Sequence, residues 1–100
     1  MAVQQISASQ ARALCAKGAQ FLDVREYEEV VAAPYTEVDV LHIPMRDVPA
    51  RLGELNMDKP IVVACHSGGR SQMVGEFLVD NNFDDVYNLT GGILHWMSGN

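Results

Sequence analysis

At 100 residues the chain has the length of one domain, 1–100, and its 48% hydrophobic content is enough for a core without disulfide or metal staples, which argues against disorder. A formal net charge of -6 and a pI near 4.8 argue against nucleic acid or an anionic membrane as partner, so any anion site must be local. Cys15 and Cys65 lie far apart, with no CxxC and no clustered histidines; no metal site, disulfide, basic apolar leader or membrane-length window is expected, and the expected setting is a reducing cytoplasm.

The segment 3–6 reads as a short edge strand. Ser7 and Gln10 then have the spacing of a capping box, and a helix is expected to about Lys17, with Gly18 just past its end. Ala8, Ala11, Leu14 and Cys15 share one face of that helix, which makes Cys15 a small buried hydrophobe. The next strand is 20–24. Asp23, Arg25 and Glu26 crowd its C-terminal end, where open α/β sheets place their ligands. Asp23 is expected in a structural ion pair or a cap. Arg25 has a structural reading too, and a second one as part of the rim of an anion pocket. A short charged helix follows from Glu26, and Pro34 stops it.

The third strand is 38–43, ended by Pro44. Residues 45–55 mix helical apolar spacing with Pro49 and Gly53 and read as a broken helix or 3₁₀ turn. The run 61–64 is wholly apolar, as in a strand buried on both faces of a parallel sheet. Met73, Val74, Phe77 and Leu78 then form a helical stripe ending at Asp80-Asn81-Asn82, where an asparagine can take a left-handed cap. The last strand is 86–89. Gly91-Gly92 turns into a final helix whose Trp96 is expected against the sheet. Met45, Met57, Met73 and Met97 read as core or rim filler, and His42 and His95 as structural or solvated.

Between the apolar strand and the helix stands Cys65-His66-Ser67-Gly68-Gly69-Arg70-Ser71. A Gly-rich loop between a strand and a helix N-terminus turns backbone N–H groups toward one point and attracts negative charge. A cysteine opening such a loop is favoured as thiolate, the nucleophilic form. Cys65 to Arg70 inclusive is six residues. A cysteine-dependent phosphatase loop is one residue longer and would put arginine where Ser71 stands. The tighter ring suits an added sulfur atom better than a tetrahedral phosphate.

This loop resembles that of the rhodanese sulfurtransferases. Phe21-Leu22-Asp23-Val24-Arg25-Glu26 resembles the family's first central strand, and Val86 to Ile93 with Trp96 resembles its closing strand, turn and helix. The segment Ala33-Pro34-Tyr35-Thr36-Glu37 departs from the family's usual Gly-His-Ile-Pro-Gly-Ala. His42-Ile43-Pro44 matches the end of the following strand instead. The resemblance implies an α/β three-layer fold, with a five-stranded, mostly parallel sheet and helices on both faces.

It also implies a chemistry. Cys65 takes the outer sulfur of thiosulfate or another persulfide, carries it as a persulfide, and yields it to cyanide or a thiol. His66, Ser67, Gly68, Gly69, Arg70 and Ser71 form the loop that holds the charged sulfur. Gly68 and Gly69 are expected at positive φ. Arg70 has two readings, binding an anionic donor or pairing with a carboxylate. His66 is expected at the rim rather than in a dyad with Cys65. Neither metal nor cofactor is needed, and a monomer is expected. A persulfide relay serving a protein donor or acceptor is the alternative, and a non-catalytic interaction module is a third reading.

Overall fold

The computed structural model describes residues 2–99. Its strands are β1 (Gln4–Ile6), β2 (Gln20–Asp23), β3 (Val40–His42), β4 (Ile61–Ala64) and β5 (Val86–Leu89). Its α-helices are α1 (Ala8–Ala16), α2 (Tyr27–Ala32), α3 (Gly69–Asp80) and α4 (Gly92–Met97), and two 3₁₀ segments, Met45–Asp47 and Pro49–Glu54, follow β3. The five strands form one sheet in the order β1-β5-β4-β2-β3. All four pairings are parallel, so the sheet is more uniform than the mostly parallel one expected. β4 lies at the centre, as its unbroken apolar run requires.

Side chains alternate across the pleat and divide the core in two. Ile61 and Val63 join Leu22, Val24, Val74 and Leu78 on the α3 side. Val62 and Ala64 join Phe21, Ala8, Ala11, Ile93 and Trp96 on the side covered by α1 and α4. Helices therefore cover both faces. Trp96 is 1% exposed and packs on Phe21 and Tyr35 with ring centroids 5.3 and 5.5 Å apart, as expected of a residue against the sheet. Its Nε1 donates to the Thr36 carbonyl, and the Arg12 guanidinium lies 3.9 Å over its ring.

Local signals largely hold. Ser7 and Gln10 make the reciprocal capping box of α1. Asn82 takes φ 73 just after α3. The third strand is shorter than 38–43, because pairing with β2 covers only Val40 to His42. Cys15 is half-buried rather than buried. Met57, Met73 and Met97 are exposed at 48%, 61% and 68%, so they are surface residues and not filler. Met73 shares its helical spacing with Val74 and Phe77 but falls on the outer margin of the stripe. Among the described residues no helix is long and apolar enough to cross a membrane.

Candidate active site

β4 ends at Ala64 and delivers Cys65 to the C-terminal edge of the sheet, at its centre. Gly68, at φ 103, turns the chain so that Gly69 can open α3. Of Gly68 and Gly69, only Gly68 has the left-handed conformation. Gly69 is helical with no atom within 4 Å of where a Cβ would stand, so its expected positive φ is corrected. The turn points the Gly68 N–H back at the cysteine: Sγ accepts from it at 3.1 Å, and the Ser71 hydroxyl lies 3.3 Å from the sulfur. Burial pushes the Cys65 thiol up. Hydrogen bonds from the Ser71 hydroxyl and from the N–H groups of Ser71, Gly68 and Ser67 outweigh it and leave the thiol below its ordinary value.

The loop is held from below and from the side. The Tyr35 hydroxyl donates to the Cys65 carbonyl at 2.5 Å, and burial pushes its phenol up, so it stays a donor. The β5–α4 turn seats against the loop: Ile93 N donates to the His66 carbonyl at 3.1 Å. Gly92 has φ 54, and a Cβ there would lie 2.0 Å from that same carbonyl oxygen. Asn88, 3% exposed on β5, accepts from the Ser71 hydroxyl and donates to the Gly68 carbonyl at 3.2 Å.

For the charged residues the structure chooses among the readings the sequence left open, and Asp23 takes the ion pair expected of it. Arg25 is not on a pocket rim: it is 1% exposed, and its Nη2 lies 2.9 Å from the equally buried Asp23 carboxylate. Its Nε and backbone N also donate to Asp23, its guanidinium lies 4.8 Å over the Tyr35 ring, and its carbonyl accepts from His42 Nε2. Burying a charge is tolerated only with such partners, which is why Arg25 turns inward to the carboxylate two residues before it. Arg70 makes a two-pronged pair with Glu29 at 2.7 and 2.8 Å, the carboxylate-pairing alternative of its two readings. Hydrogen bonding from Arg70 holds the Glu29 carboxyl down to about 2. This pair clips α2 to the loop.

His66 and Ser67 are exposed at the loop tip, and among the described residues no hydrogen bond joins the His66 ring to Cys65. Tyr35, Glu29 and Asn88 are site residues that sequence reasoning missed. Asn88 carried a signal: it is a lone amide in an apolar strand, on the same face as Val86. Tyr35 and Glu29 carried none, since only the fold brings Tyr35 to the Cys65 carbonyl and Glu29 to Arg70.

The family model described as "Rhodanese-like domain" matches residues 7–98. The chain belongs to this family. As a rhodanese-like domain it is 33% identical over 93 residues to "Thiosulfate sulfurtransferase GlpE" of Pseudomonas syringae, covering 93% of this chain and 86% of that protein. It is 40% identical over 75 residues to "Putative sulfur carrier protein YrkF" of Bacillus subtilis, covering 75% of this chain and 40% of that one. The crystal structure of a rhodanese-like domain protein from Staphylococcus aureus superposes with a TM-score of 0.81 at 31% identity, over 94% of this chain and 91% of that one. The rhodanese-like fold expected from the loop and strand motifs is therefore the fold of this protein. Relatives named as a thiosulfate sulfurtransferase and as a putative sulfur carrier are thus among the proteins this domain resembles.

Proposed function

We propose that this rhodanese-like domain moves a sulfane sulfur from thiosulfate or a persulfide donor to a thiophilic acceptor through a persulfide on Cys65. The observation that carries the reading is the Cys65 sulfur, lowered in pKa and facing the Gly68 N–H and the Ser71 hydroxyl. The thiolate attacks the outer sulfur of thiosulfate. The new S–S bond forms as the old one breaks, and sulfite leaves with the electron pair. The negative charge now sits on the outer sulfur, within reach of the loop amides. Cyanide or a thiolate then attacks that sulfur, and Cys65 leaves as the thiolate it was. With Arg70 engaged by Glu29, the loop N–H groups and the α3 N-terminus are the anion-binding elements in this reading.

The test is the intact mass of the reduced protein after incubation with thiosulfate, beside Cys65→Ser. The expected result is a gain of one sulfur atom by the wild type alone, removed again by cyanide. Gain by both proteins, or a gain that cyanide leaves in place, overturns the reading. Loading by a protein-bound persulfide but not by thiosulfate would support the relay reading, which the likeness to a putative sulfur carrier favours. The reading sets the reaction in a reducing cytoplasm, where Cys65 remains a thiol between turnovers.

A further inference from the structure

The Ser71 hydroxyl has one proton and two claimants. It donates to Asn88 Oδ1, and its oxygen lies 3.3 Å from Cys65 Sγ. Which claimant holds the proton depends on how Asn88 is oriented, and a chain of side chains running out to the surface settles that. Glu76, an acceptor only, takes a hydrogen bond from Gln72 Nε2 at 3.1 Å. Gln72 Oε1 then accepts from Gln5 Nε2 at 2.6 Å, and Gln5 Oε1 accepts from Asn88 Nδ2 at 2.8 Å. The Gly68 carbonyl takes the other Nδ2 bond at 3.2 Å. Both N–H donors of Asn88 Nδ2 are thereby committed to oxygen atoms that only accept, Gln5 Oε1 and the Gly68 carbonyl. Its Oδ1 is left facing Ser71, buried and with no other hydrogen-bond partner among the described residues.

We infer that Asn88 is a positioning residue for Cys65: it holds the Ser71 hydroxyl turned away from the sulfur and competes with the sulfur for that proton. In the thiol state Ser71 donates to Asn88 and presents lone pairs to the S–H. When Cys65 ionises, Ser71 must turn to the sulfur and leave a buried carbonyl oxygen without a partner. When the persulfide forms, charge moves to the outer sulfur, the inner one becomes a weak acceptor, and Ser71 turns back. Asn88 therefore limits how far the loop stabilises the bare thiolate. A less stabilised thiolate is the stronger attacker and the poorer leaving group. The inference deepens the sulfur-transfer reading and rests on it, but its test reads the thiol alone.

The ionisable groups around Cys65 are Tyr35, Arg70 with Glu29, the Asp23–Arg25 pair at the end of β2, and the exposed His66. Among them Tyr35 donates to the Cys65 carbonyl, and Arg70 is tied to Glu29. None belongs to the Asn88 chain, whose single charged member is Glu76 at its outer end.

The experiment is the pH dependence of iodoacetamide alkylation of Cys65 in wild type, Asn88→Leu and Asn88→Ala, each also in a Ser71→Ala background. Thermal melts accompany each variant. Leu keeps the volume and removes the acceptor; Ala gives a second route if Leu does not fold. Freed from Asn88, Ser71 donates to the thiolate, and the midpoint falls by about one pH unit. With Ser71→Ala the fall disappears. A midpoint that rises or stays put, as loosening of the loop alone would give, overturns the inference. A fall that persists in Ser71→Ala overturns it too, because Asn88 would then act on the sulfur directly.

Discussion

In the proposed reaction one sulfur atom attacks, carries and leaves, and the surroundings of Cys65 suit that compromise. Burial works against the thiolate, while the Ser71 hydroxyl and three backbone N–H groups work for it and prevail. The sign for reactivity follows directly. A thiol with a lowered pKa reaches its reactive form at lower pH, so alkylation of the native protein rises with a midpoint below that of a free cysteine. Denatured protein, without the loop hydrogen bonds, is expected to titrate at the ordinary value. A pH series with iodoacetamide, native against urea-unfolded, measures the difference, and a native midpoint at or above the unfolded one would contradict the assignment.

At the scale of elements, the site is a junction of four pieces: the end of β4, the start of α3, the β5–α4 turn, and α2 with the residues just after it. The tightest contact is between backbones. Gly92 passes so close to the His66 carbonyl that a Cβ would stand 2.0 Å from its oxygen, and its φ of 54 already disfavours a side chain. Gly92→Ala must displace either the loop or α4. Sulfur loading is expected to fall by at least tenfold with a stability loss of about 1–3 kcal/mol, from the strained φ and the clash together. Gly69→Ala, at a helical position in open space, should leave loading near wild type. Loading assays and thermal melts on the two variants compare them, and equal losses would show that the contact does not matter.

At the scale of the whole molecule, the proposed reaction with thiosulfate brings a dianion to a chain of net charge -6. Long-range repulsion slows the approach of thiosulfate, and the local field of the loop takes over only at short range. Added salt screens the first far more than the second. The loading rate with thiosulfate is therefore expected to rise a few-fold, while alkylation by uncharged iodoacetamide stays level. Rates measured from low to about 0.5 M potassium chloride test this, and a thiosulfate rate that falls with salt would point to an attractive field at the mouth.

Much of this architecture was legible in the chain itself. Ile61–Ala64 read as a central strand because four consecutive apolar side chains need both faces of a sheet covered. The capping box of α1 and the left-handed turn at Gly68 depend on neighbours a few residues apart, so local spacing revealed them. The six-residue loop likewise carried the nucleophile and its ring of amides. What local spacing could not carry was the choice of partner for each charge and each buried amide. Arg25 could face a pocket or Asp23, and Arg70 a donor anion or Glu29; the fold decided both by placing a carboxylate within 3 Å of each. Asn88, Gln5 and Gly68 are distant in sequence and meet only because β5 pairs beside β1 and β4. The sequence by itself determined which atom is the candidate nucleophile, since a thiol at a strand end before a helix needs no distant residue to be exposed to that field. Only the tertiary structure decided what holds that atom and where its neighbours' protons point, because hydrogen bonds between remote segments exist only once the sheet has assembled them.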